Sequence, residues 1–282
     1  MGREAGSEGA VKAARFLAAR LAELGLEPAG DSGYFQRLPA ERDSAGRAIR
    51  PTYNVVAVAR GSEPALGATY VGFGAHLDHL GIQRPVNGDS IANGADDDGS
   101  GSVALLAIAR AWTEMPRRPR RSALFVWHTA EEQGLIGSTH FTTFPTVPLD
   151  SVVAMLNADM IGRNAPDLLY LIGPRTDRAL NGRIGAVVES ANGALPRAFG
   201  IDYSYDSQRH PEGLYYRSDH FNYAQRRIPV VFFTTGLHPD YHAVTDEPDR
   251  IDYDKLARVA TLMYRAGVAV ADGAEGQLVR PR

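Results

Sequence analysis

Several apolar, strand-like runs in this chain lead to a carboxylate or an imidazole beside a glycine or another small residue. Val71-Gly-Phe-Gly-Ala75 runs into His76, Val152 to Met155 leads to Asp159, and Val230 to Thr234 leads towards His242. Ala123 to Trp127 runs into His128-Thr-Ala-Glu131-Glu132-Gln-Gly, where two adjacent carboxylates open a loop. Asn54 to Ala59, Ser151 to Leu156 and Leu168 to Ile172 read as further buried strands. Helical patterns alternate with them: Val11, Phe16, Leu17, Leu21 and Leu24 before Gly25, then Ser100 to Trp112, Ala179 to Ala191, and Tyr253 to Val270. This alternation predicts an α/β fold, with a mixed, mostly parallel central sheet sandwiched by helices. Ligands bind outside the carboxyl ends of such strands, which is where these polar residues stand.

At 282 residues and 44% hydrophobic, the chain suits one domain with a core on both faces of a sheet, ending in a frayed tail over residues 273–282. It has no cysteine, which excludes disulfides, thiolate metal sites and a cysteine nucleophile. Any metal must bind through His, Asp and Glu. A net charge of −3 gives no footprint for nucleic acid, and the basic run Arg117 to Arg121, broken by Pro119, reads as a solvated loop. No apolar stretch approaches the ~20 residues of a spanning helix, so no membrane partner is expected. The opening pattern is amphipathic and unlike a signal peptide, so a secreted or periplasmic location requires a leader already removed, and a cytoplasmic one a complete chain. A monomer or a small homo-oligomer fits this composition.

His76-Leu-Asp78 places two side chains on one face of an extended segment, so Asp78 can accept from the free ring nitrogen of His76. An isolated H-x-D fits a surface turn as well. Asp96-Asp97-Asp98, between Gly94 and Gly99, crowds like charges that a divalent cation or a helix amino terminus would compensate. A calcium loop is the competing reading, but the aspartates are consecutive and lack its alternating spacing. Asp159 leaves a wholly apolar run and must be paired, coordinated or used as a cap. His128 reads as a buried strand histidine, since position 132 is Glu where an inverted zinc motif has His. No nucleophile elbow, P-loop lysine or dinucleotide fingerprint is present.

Taken together, Gly74-Ala-His76-Leu-Asp78, Gly94 to Gly101, Ala130-Glu131-Glu132-x-Gly-Leu-x-Gly-Ser138, Leu156-x-x-Asp159-Met160 and Tyr241-His242 resemble the signature segments of the di-zinc aminopeptidases of metallopeptidase family twenty-eight. The order and spacing agree over most of the chain. The resemblance implies two zinc ions per chain: Asp97 bridging them, His76 and Asp159 completing one site, Glu132 and His242 the other. It implies Glu131 as general base, Asp78 as the residue orienting His76, and Tyr241 as a polariser of the substrate carbonyl. Peptides are the implied substrates, most simply those with apolar amino-terminal residues.

Larger relatives insert a protease-associated domain before the His-x-Asp strand, and residues 40 to 70 leave no room for one. A carboxypeptidase or dipeptidase on the same metal pair would need a cationic pocket, for which Arg217 is the only sign. Asp219 reads either as a holder of the substrate amine or as a helix cap. A non-catalytic binding module of the same fold would show eroded ligands, and these are intact.

Overall fold

Side-chain alternation along the strands of one nine-stranded sheet divides the core into two layers. The computed structural model describes residues 2–39, 41–42, 46 and 48–273, so most of the expected frayed tail lies outside the described residues. In chain order the strands are β1 (Glu27–Pro28), β2 (Phe35–Leu38), β3 (Thr52–Ala59), β4 (Tyr70–His76), β5 (Ser122–His128), β6 (Val152–Ala158), β7 (Leu168–Ile172), β8 (Gly200–Asp202) and β9 (Val230–Thr234). They lie side by side as β1-β3-β5-β4-β6-β9-β7-β8, and β2 also pairs with β3. The expected mixed sheet is present. Three of its parallel pairs, β5–β4, β4–β6 and β6–β9, are gathered at the centre, with antiparallel β3 and β7 outside them and a fourth parallel pair, β7–β8, at the edge.

Helices α1 (Glu8–Glu23), α2 (Gly101–Thr113), α4 (Arg178–Gly193) and α6 (Tyr253–Asp272) cover one face, packing Leu17, Leu21, Ile108, Ile184 and Met263 against Val71, Phe73, Phe125 and Val231. The shorter α3 (Ile136–Thr143) and α5 (His220–Gln225) cover the other, where Phe141 and Tyr223 meet Leu124, Val126 and Met155. Central strands buried on both faces are continuous apolar runs, which is why they were legible as such. On the second face β4 contributes Tyr70 and then only Gly72 and Gly74 before its end. A Cβ at Gly74 would stand 2.9 Å from Asn157 Oδ1 and 3.4 Å from His128 Cε1, so this glycine makes room for two buried polar side chains under the site.

Two readings are corrected by the structure. The basic run is not uniformly solvated: Arg121 is buried and donates to Gly273 O at 2.6 Å, serving a carbonyl at the end of α6. Between Gly81–Val86 and Asp89–Ala92 an antiparallel hairpin forms beside the site, closed by Asn87-Gly88 with both residues at positive φ. No element had been expected there.

Helix α6 crosses β4 so closely that a Cβ at Gly267 would overlap the Phe73 ring, itself stacked on Phe125 and edge-on to Trp112. Gly267→Ala should therefore lose about 1–3 kcal/mol of stability through overpacking, read from the denaturant midpoint at unchanged slope. An unchanged midpoint would mean that the aromatic stack yields freely.

Candidate metal centre

Four strand ends meet at one edge of the sheet. Register pairs His76 with His128 and Ala158 with Phe233, so the segments leaving β4, β5, β6 and β9 emerge together. His76 ends β4, Glu131 and Glu132 follow β5, Asp159 follows β6, and His242 lies on the loop after β9. Asp97 arrives from the turn that precedes α2.

Asp97 is shared between two groups. Its Oδ1 is 3.1 Å from His76 Nε2 and its Oδ2 is 3.2 Å from His242 Nε2. Asp159 Oδ1 stands 3.5 Å from His76 Nε2, while Glu132 Oε2 stands 3.0 Å from His242 Nε2. Glu131 reaches over the first group, with Oε2 3.9 Å from His76 Nε2. All five residues proposed as ligands and the proposed base thus come together. Asp97, Asp159 and His76 are buried, whereas the His242 side chain is 36% exposed.

The aspartate triplet divides its labour. Asp98 accepts from the backbone N–H of His76 (3.0 Å), Gly101 (2.9 Å) and Met160 (3.3 Å), tying β4, α2 and β6 to one carboxylate. Asp96 accepts from Gly162 N–H at 2.6 Å and faces His238 Nε2 at 3.2 Å. Only Asp97 projects into the centre, and Asp246 fixes its loop by accepting from the N–H groups of Asp96 and Asp97.

Asp78 acts differently from expectation. His76 Nδ1 lies 3.2 Å from the Asp78 carbonyl oxygen but 3.8 Å from its carboxylate. That carboxylate instead accepts from the backbone N–H of Glu131 (3.2 Å) and Glu132 (3.4 Å). A peptide carbonyl suffices to fix the imidazole, which frees the buried carboxylate to hold the loop carrying the paired glutamates.

His128 is buried, as expected, between Tyr223 OH (2.9 Å) and Asp219 Oδ2 (3.3 Å). Asp219 therefore neither faces a substrate nor caps α5: it stands at the cap position without a side-chain cap bond. Tyr241 stacks on His242 with ring centroids 3.8 Å apart, and its hydroxyl accepts from Arg217 Nη2 at 2.9 Å. One residue went unread in the sequence. His79, just beyond His76-Leu-Asp78, places Nδ1 2.7 Å from Glu132 Oε1. Ser218 links Asn157, whose amide donates at 2.8 Å, to Asp159.

Crowding reshapes the acidities. Burial, reinforced by Asp159 and Glu132, pushes the Glu131 carboxyl well up despite the opposing pull of His76. Burial also opposes ionisation of Asp97, but His242 and His76 outweigh it and hold this carboxyl far down. Buried His76 Nε2, Asp159 Oδ1 and Glu132 Oε1 have no hydrogen-bond partner among the described residues. Unsatisfied atoms of this kind are rare in folded proteins, and an oxygen and imidazole donor set divided by a shared carboxylate fits a pair of zinc-like cations.

The pattern that defines peptidase family M28 matches residues 54–266. The chain belongs to peptidase family M28. Leucine aminopeptidase 1 of Arthroderma otae is 28% identical over 211 residues, covering 71% of this chain and 54% of that relative. This M28 chain thus spans little more than half of that curated relative's length. By fold it is similar to a leucine aminopeptidase precursor from Bacteroides thetaiotaomicron, with a TM-score of 0.71, 18% identity and coverage of 95% and 91% of the two chains. It is also similar to a Bacteroides thetaiotaomicron glutaminyl cyclase, with a TM-score of 0.70, 17% identity and coverage of 95% and 92%. No helix among the described residues is long and apolar enough to cross a membrane.

In the metal-free protein His242 should titrate late. Burial disfavours its cation, but Asp97 and Glu132 raise it to about 9. Its stabilising contribution is therefore full below the unfolded value of ~6.5 and is lost as pH rises through about 9. A proton-resonance titration of His242 without metal should show a midpoint near that higher value, and a midpoint at the unfolded one would detach it from both carboxylates.

Proposed function

We propose that this chain is a zinc-dependent exopeptidase, an aminopeptidase that uses two zinc ions per chain and Glu131 as general base. The observation that carries the reading is Asp97, whose two oxygens face two separate imidazole and carboxylate groups. His76 and Asp159 would hold one ion, Glu132 and His242 the other. When bound, such a pair polarises a carbonyl and acidifies water.

The chain's own residues supply the rest. Glu131 stands beside the ligands while its neighbour Glu132 joins them, because the Asp78 carboxylate pins the backbone of both. Its raised proton affinity suits a group that takes a proton at its carboxylate and returns it to a departing amine. Tyr241 lines the pocket with its hydroxyl held by Arg217, which supports its reading as a carbonyl-polarising group. Met160, Leu214, Phe232 and Leu237 form an apolar wall of the same pocket, supporting a preference for apolar amino-terminal residues.

Because a glutaminyl cyclase shares this fold, the site and not the fold must choose the reaction. The carboxypeptidase reading would need Arg217 free to bind a substrate carboxylate, yet this side chain is engaged by Tyr241 OH and by Glu212 O at 3.0 Å.

A panel of aminoacyl-arylamides, with and without chelator, tests the reading: leucyl substrates should be cleaved, N-blocked ones spared, and activity lost on zinc removal. Glu131→Gln should keep both ions and lose roughly 10²–10⁴-fold in turnover. Loss of zinc in that variant would mean that Glu131 is a ligand. Asp97→Asn should weaken both ions together, and departure of one alone would contradict the bridge.

A further inference from the structure

We propose that His79 is an additional ligand, through Nδ1, of the cation held between Asp97 and Glu132. This rests on the metal-pair reading above and adds a residue to it. His79 is fully buried, its ring lying against Gly94, where a Cβ would overlap ring carbons, and edge-on to His242 with centroids 5.9 Å apart. The backbone is fixed as well, the His79 N–H donating to Arg3 O at 3.1 Å. An imidazole confined in this way has one orientation to offer.

Both ring nitrogens of His79 lack a hydrogen-bond partner among the described residues. Nδ1 is nevertheless only 2.7 Å from Glu132 Oε1 and 3.9 Å from Asp97 Oδ2. The nearer contact has the length of a hydrogen bond without its direction, since Glu132 Oε1 is itself unpartnered. Two donor atoms whose lone pairs aim at a common third point lie close together without pointing at one another. His76 Nε2 shows the same signature, unpartnered at 3.1 Å from Asp97 Oδ1. Within each set, His76 with Asp97 and Asp159, and His79 with Asp97 and Glu132, ligand atoms lie within 4.8 Å of one another. Leaving a buried imidazole unsatisfied is destabilising, and a cation at the common point would offset the cost.

The two positions would then be unequal. One has His76, Asp159 and the shared Asp97. The other has Glu132, His242, His79 and the shared Asp97, so that exposed His242 could loosen while the ion stays held.

X-ray absorption at the zinc edge, with competition against a chromophoric chelator, tests this on the wild type and on His79→Gln. The expected result is two zinc ions sharing three histidine nitrogens in the wild type and two in His79→Gln, with the affinity of one ion lowered by roughly 100-fold or more. Two shared histidine nitrogens in the wild type would overturn the proposal, and this readout needs no variant to fold. A lowered affinity in His79→Gln with an unchanged histidine count would also overturn it, leaving His79 as a hydrogen-bonding support for Glu132. A wild type that binds no zinc would instead bring down the metal-pair reading itself.

Discussion

Five carboxylates, those of Asp78, Asp97, Glu131, Glu132 and Asp159, are crowded at the ends of three strands and the turn before α2 with little water to screen them. Charge burial of this kind persists only when each group finds compensation. Backbone N–H groups serve Asp78, imidazoles serve Asp97 and Glu132, and Asp96, Asp98 and Asp246 surround the cluster, accepting hydrogen bonds from further peptide N–H groups. What this network leaves unpaired faces inward, on the ligand side. The pattern is that of a scaffold organised around positive charge.

The sheet makes the crowding possible. Parallel strands side by side bring their carboxyl ends to one edge, and the register of β4 with β5 and of β6 with β9 levels those ends. Glycine at positions 72 and 74 opens the second face of β4, so that Met155, Asn157 and His128 can support the site from beneath. Asn157 then reaches Ser218, and Ser218 reaches Asp159, a chain of contacts linking the underside of the sheet to a ligand.

Much of this was legible in the sequence because it rests on local pattern. Continuous apolar runs marked the doubly covered strands, and the residues ending them marked the site. What escaped depends on contacts distant in the chain. The spacing of His76 and Asp78 is compatible with a side-chain bond, but only the loop after β5 shows that the carboxylate is needed elsewhere. His79 follows a motif that already looked complete, and its closeness to Glu132 spans more than fifty positions of sequence. Asp219 resembles a cap from its neighbours alone, whereas the fold sets it against His128. The hairpin closed by Asn87-Gly88 had a local turn signal, but its strand from Gly81 to Val86 is exposed beyond its first residue and shows no alternation of apolar and polar positions.

Asp98 clasps β4, β6 and α2 through a single carboxylate, so these elements can move only as one block. The segment from Thr235 to Asp246 is tied in its own way, by the Thr235 N–H donating to Met160 O at 2.7 Å and by the Asp246 carboxylate accepting from the N–H groups of Asp96 and Asp97, and it carries His242 in a left-handed backbone conformation. The two walls of the pocket thus meet on one aspartate-bearing loop, which Asp98 joins to the side bearing His76 and Asp159 and Asp246 joins to the side bearing Tyr241 and His242.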